Sequence, residues 1–186
     1  MGKMNNSNID KYINGLKKFI ESNDQTLLVT GNERYNKHKI IIKYINSEFT
    51  NKNILFRTNG FDKVLNGNWL GFTGIKKKPK GNTFFKIGNN NYMVDSFLSK
   101  GSKSDSFVNF DFVIVYPIDG MLRESKFDRI EELYKDYDVG KVFLVTCSDS
   151  WLNKCGNIEH IVDQHLSYND ESVVDDCQDK KISQEK

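Results

Sequence analysis

The sequence predicts an α/β domain built on a mostly parallel central sheet, with helices on both faces and a β-hairpin near residues 83–97. Helix-period and strand-period apolar patterns alternate along the chain, the arrangement that parallel βαβ units require. The run Phe110–Tyr116 is almost continuously apolar, as a strand covered on both faces must be. Between 83 and 97, two short runs, Thr83–Ile87 and Tyr92–Phe97, flank Gly88-Asn89-Asn90-Asn91, residue types that tolerate the backbone of a tight turn.

Each element has its own local reason. Ile9, Tyr12, Ile13, Leu16, Phe19 and Ile20 recur at helical spacing behind Ser7 and Asn8, two capping residue types, and Lys11, Lys17 and Lys18 take the other side. Thr26–Thr30 reads as a short buried strand ending at Gly31. Ile40, Ile41, Tyr44, Ile45 and Phe49 predict a helix from Lys37 to Phe49, and Asn53–Thr58 a second strand closed by Asn59-Gly60. Residues 59–82 carry no period, hold Trp69 and Phe72, and end in Lys76-Lys77-Lys78-Pro79-Lys80-Gly81. After Phe110–Tyr116, a helix is predicted through Phe127, Ile130, Leu133, Tyr134 and Tyr137, then a strand over Lys141–Thr146. Ile158, Ile161, Val162 and Leu166 predict a closing helix. The strands at 26–30, 53–58 and 111–116 are expected to be parallel neighbours. Right-handed crossovers would place their C-terminal ends along one edge, where such sheets bind ligands. Residues 1–168 read as one domain and 169–186 as an acidic, disordered tail.

Composition narrows the class further. The chain has 186 residues, 38% hydrophobic and 12% aromatic, enough for a core of ordinary size. No apolar run approaches the ~18 residues of a membrane span. The polar start is expected to carry no signal peptide, and Asn6 stands where a myristoylation pattern needs Ser or Thr. Cys147, Cys155 and Cys177 are odd in number and crowded near the end, which predicts a reducing, cytoplasmic setting. Alanine is absent and Asn, Lys and Ile abound, the mark of AT-biased coding in viruses, plasmids and low-GC microbes. Without their best former, the helices must rely on packed faces. Residues 1–110 hold 18 Lys/Arg against 8 Asp/Glu, and residues 111–186 hold 9 against 17. The asymmetry is either two sides of one domain attracting each other or a hint of an anionic partner.

Gly31-Asn32-Glu33-Arg34-Tyr35-Asn36-Lys37-His38 follows the first sheet strand and opens the next helix. Its spacing is that of a phosphate loop, in which backbone amides wrap phosphates, a Lys reaches them and a hydroxyl holds Mg²⁺. Gly31 and Lys37 are in place; Asn36 replaces the second Gly and His38 replaces the Ser/Thr. Asn tolerates a left-handed backbone, whereas imidazole is a poor ligand for hard Mg²⁺. The order of parts over about residues 26–150 resembles P-loop NTPases. Tyr92-Met93-Val94-Asp95 is similar to a strand ending in the metal-holding Asp. Val142–Asp149 is similar to the later strand ending in a polar sensor. Superfamily 3 helicases and ParA/MinD-type ATPases of viruses and mobile elements share this layout. The resemblance implies ATP or GTP with Mg as cofactor, Gly31, Asn36, Lys37 and His38 at the nucleotide, and Asp95 as the catalytic residue.

Other constellations compete. Lys76, Lys77, Lys78 and Lys80, beside Trp69, Phe72, Phe84 and Phe85, form either a nucleic-acid contact or a solvated loop flanked by core aromatics. Cys147, Cys155, His160 and His165 lack a zinc spacing. Three functions are therefore carried. The first is a degenerate P-loop NTPase-like protein of a virus or mobile element, with weak or lost hydrolysis, serving nucleic-acid transactions. The second is a non-enzymatic module binding nucleic acid or a protein through the basic 59–82 region. The third is a metal-dependent nuclease using Asp95 and Asp119, against which Asp111 and Asp119 are weighed as residues that terminate a strand and cap the following helix.

Overall fold

The computed structural model describes residues 6–33, 35–66, 69–96, 108–124, 126–149 and 158–169. Phe97, at the end of the expected hairpin, and the expected tail from 170 onward lie outside the described residues. The opening helix α1 (Asn6–Glu21) leads into β1 (Thr26–Thr30), α2 (Lys37–Glu48) and β2 (Asn53–Thr58). Two single 3₁₀ turns follow in the irregular stretch, and then a hairpin of β3 (Phe85–Ile87) and β4 (Asn90–Ser96). β5 (Asn109–Val115), α3 (Asp119–Glu124), α4 (Asp128–Asp136), β6 (Asp138–Val145) and β7 (Gln164–Ser167) complete the order.

One seven-stranded sheet has the order β3-β4-β2-β5-β6-β1-β7, and only the β3–β4 pair is antiparallel. The predicted α/β architecture is therefore the observed one. Alternation along the strands divides the core in two. Leu27, Val29, Ile54, Phe56 and Val94 face α1 and α2, through Tyr12, Leu16, Phe19, Ile41 and Ile45. Leu28, Leu55, Met93, Val113 and Leu144 face α3 and α4, through Met121, Leu122, Ile130 and Leu133. A strand with both faces covered is buried along its whole length, and β1 has five buried residues in a row, Leu27, Leu28 and Val29 between two threonines.

Three expectations are corrected. β2 and β5 are parallel neighbours, but β1 is separated from β5 by β6. The α3–α4 crossover inserts β6 between them, and nothing in the local pattern of a strand specifies its place in the sheet. The hairpin turn is Gly88-Asn89 alone, with Gly88 at φ 59°, and Asn90 already belongs to β4. The closing helix is instead one 3₁₀ turn, Glu159–Ile161, followed by strand β7. Ile158, Ile161 and Val162 pack on the α3–α4 side and Leu166 on the other. The backbone groups of β1 supply β7 with a ladder that overrides the helical spacing.

Candidate functional site

Parallel strands bring Thr30, Thr58, Ser96, Val115, Val145 and Ser167 to one edge of the sheet, and the loop 31–36 rises from it after β1. The connection after β1 (α2) and the connection after β5 (α3 and α4) pack on opposite faces. That divergence marks the ends of β1, β6 and β5 as the place where sheets of this kind hold their ligands. The residues gathered there are Gly31, Lys37 and His38 from the loop, Tyr116 and Asp119 after β5, and Thr146, Cys147 and Asp149 after β6.

The loop is closed on itself. Lys37 is fully buried, and its Nζ donates to Gly31 O at 2.5 Å, bridging the two ends of the turn. Gly31 N–H donates to Asp149 Oδ2 at 2.7 Å, and Thr146 Oγ1 donates to Asp149 Oδ1 at 2.9 Å. Burial lowers the Lys37 pKa, while Asp149, Cys147, Asp119 and Glu33 pull it back up. The ammonium thus lies in the field of its own chain's carboxylates while its hydrogen bond goes to Gly31 O. Asp119 spends both oxygens on the Cys147 and Ser148 amides, at 2.6 and 2.8 Å.

The C-terminal strand seals the loop from outside. Gly31 has φ 123°, and a Cβ there would stand 1.9 Å from Tyr168 O, so only glycine admits this approach. Tyr168 N–H donates to Thr30 O at 2.9 Å, its ring lies 4.8 Å from that of Tyr12, and Asn32 N–H donates to Asn169 Oδ1 at 3.0 Å.

His38 is also fully buried. Its ring stacks on Tyr116 with centroids 3.8 Å apart and planes 18° from parallel, and its Nε2 lies 3.2 Å from Trp69 O. Trp69 meets Tyr116 edge-on and Phe72 meets His38 edge-on. Burial is the main cause that raises the Tyr116 pKa, with Cys147 second. Tyr116 is therefore a neutral phenol at physiological pH. The pair offers a packed aromatic contact, not a hydroxyl facing a carboxylate.

The remaining expected residues lie elsewhere or behave differently. Asn36 has φ −107° and ψ −24°, a right-handed conformation, and its amide donates to Glu33 Oε2 at 2.5 Å. The left-handed turn expected there is absent; among the described residues of the loop only Gly31 has positive φ. Asp95 is not at the loop. It lies on β4, with β2, β5 and β6 between it and β1, about 19 Å away by strand spacing. Its carboxylate receives Arg57 Nε and Nη2 at 2.8 to 3.1 Å, and Arg57 Nη1 donates to Arg129 O on α4. Burial pulls the Arg57 pKa down, but the hydrogen bonds and charge of Asp95 outweigh it and leave it raised. Removing one partner of such a buried pair costs on the order of 3–5 kcal/mol, and Asp95 holds the Arg57 guanidinium that ties α4 to the sheet. Asp111 sits at the opposite, N-terminal edge, holding Lys52 Nζ and Asn53 N–H.

Lys76, Lys77, Lys78 and Lys80 are exposed. Lys78 pairs with Asp62 and lies 4.8 Å from the Phe61 ring centroid. Trp69, Phe72 and Phe85 pack on the core, whereas Phe84 is 44% exposed. Cys155 and Cys177 lie outside the described residues, and no group of three metal-ligand side chains occurs among the described ones. Sequence reasoning missed Tyr116, Tyr168 and Arg57. Arg57 carried a signal, since a charge inside the apolar run Ile54-Leu55-Phe56 demands a buried partner.

Element order and strand order define an α/β protein built on a mostly parallel seven-stranded sheet. The chain is similar to the large terminase of a thermophilic bacteriophage, with a TM-score of 0.51 and 12% identity over 87% of this chain and 45% of that one. It spans less than half of the terminase's length, and at that identity the likeness is one of fold. No protein-family model matches the chain, and no curated protein matches it. No helix among the described residues is long and apolar enough to cross a membrane.

Proposed function

We propose that this is a P-loop NTPase-like protein of a virus or mobile element that has lost nucleotide hydrolysis and acts by binding nucleic acid. The observation that carries the reading is the stack of His38 on Tyr116. In a working phosphate loop the residue after the Lys is a hydroxyl that holds Mg²⁺ together with a strand-end carboxylate. Here that residue is a buried imidazole, and the group it faces is a neutral phenol. Neither suits a hard cation that binds through oxygen ligands, so Mg²⁺ does not fit and no hydrolytic step is derived through it. Lys37 serves instead as the clasp that holds the loop shut on Gly31. The likeness in fold to a phage large terminase and the AT-biased composition support a viral or mobile-element origin. The nucleic-acid role rests on the exposed lysines of the 76–80 run. The nuclease alternative loses support because Asp95 and Asp119 are committed to internal partners on separate parts of the edge.

The test is titration with labelled ATP and GTP, with and without Mg²⁺, beside a phosphate-release assay. Expected are no turnover above blank and no gain of affinity on adding Mg²⁺. Mg²⁺-dependent turnover that Lys37→Ala abolishes would overturn the proposal.

A further inference from the structure

Resting on the nucleic-acid reading above, we infer that the basic edge takes single-stranded nucleic acid, with Phe84 as the ring on which an unpaired base stacks. Phe84 is, with Tyr35 and Leu65, one of three exposed large hydrophobic side chains among the described residues. It is held, not loose. Asn82 N–H donates to Val94 O, which extends the pairing with β4 beyond Phe85, and the ring lies 6.1 Å from that of Phe110. Strand alternation sends Phe85 and Ile87 into the α1–α2 core cluster and leaves Phe84 and Lys86 on the other side of the edge, both exposed.

Cations precede and follow this ring along the chain. Thr83 N–H and Oγ1 both bond Lys80 O, at 3.3 and 2.7 Å, in a turn that brings Lys80 next to the Phe84 segment. Lys78 is anchored by Asp62 and Phe61, and Gly81 packs beside the same Phe61 ring, so the run follows a defined path to the edge. No ion pair among the described residues engages Lys76, Lys77, Lys80 or Lys86. Unmatched cations leading to an exposed, fixed ring are what a single strand needs: lysines for its phosphates and a π-face for a base. A duplex keeps its bases stacked inside and would engage the lysines only.

The experiment compares a fluorescent oligothymidylate of about 12 nucleotides with a duplex of the same length, by anisotropy at low salt. Wild type is expected to prefer the single strand. Phe84→Leu keeps apolar bulk against Phe110 without a π-face and should weaken single-strand binding about 10-fold while leaving duplex binding unchanged. Phe84→Trp should retain binding and add fluorescence that the oligonucleotide quenches. Equal affinity for both forms, with Phe84→Leu silent but Lys76, Lys77 and Lys80→Gln damaging, would overturn this inference and leave the nucleic-acid reading standing. Binding of neither form, with capture of polyglutamate instead, would overturn both in favour of an acidic protein partner.

Discussion

The loop at 31–38 and the basic edge at 76–86 both carry lysines that invite an anion, yet they stand in opposite electrostatic states. Lys37 is wholly buried, bonded to Gly31 O and drawn on by the charges of Asp149, Asp119 and Glu33. Lys76, Lys77 and Lys80 are exposed, and among the described residues no ion pair engages them. A buried charge must find its partner within the fold, because leaving it unpaired costs several kcal/mol or more. An exposed lysine loses little by keeping water as its partner. The loop therefore consumes its own binding capacity, and the edge retains it.

The largest effect should come from the loop's closure. Gly31→Ala puts a Cβ where Tyr168 O now stands and forces an L-residue to φ 123°. A loss of about 3 kcal/mol or more is expected, read as a fall in Tm of roughly 10 °C. A shift below ~2 °C would mean that Tyr168 does not seal the loop, and the contrast with the edge would weaken.

Smaller and pH-dependent is the contribution of the Lys37 charge. Burial lowers its pKa from the ordinary lysine value of 10.5. Between that lowered native value and 10.5 the unfolded chain therefore binds the proton more tightly than the native one. Stability then rises with pH across that window. Lys37→Met has no proton to release there. Denaturant unfolding of both proteins from pH 7.5 upward should show wild type gaining on the variant. A pH-independent difference would place Lys37 in the same class as the surface lysines.

The least effect on stability is expected at the edge itself. Replacing Lys76, Lys77, Lys78 and Lys80 by Gln should leave Tm within about 3 °C of wild type. The same change should flatten the dependence of log K on log salt for a bound oligonucleotide by ~2–3 units, since Lys78 is already matched by Asp62. An unchanged slope would move the contact elsewhere on the molecule.

Much of this contrast was written locally. The apolar runs of β1, β2 and β5, the helical spacing of α1, α2 and α4, and the Gly31–Lys37 interval each follow from neighbours within a few residues. Those short-range signals define element type, the α/β class and the position of the loop. Strand order, the strand at 164–167, the carboxylate that meets the loop and the partners of His38 and Asp95 were not legible. Each depends on residues distant in sequence: Tyr116 for His38, Asp149 for the loop, Arg57 for Asp95, and β1 for β7. Periodicity records which face of an element is buried but not what covers it. Whether the Gly31 amide would meet a phosphate or a carboxylate of its own chain was therefore decided only when β1 and β6 brought their ends together.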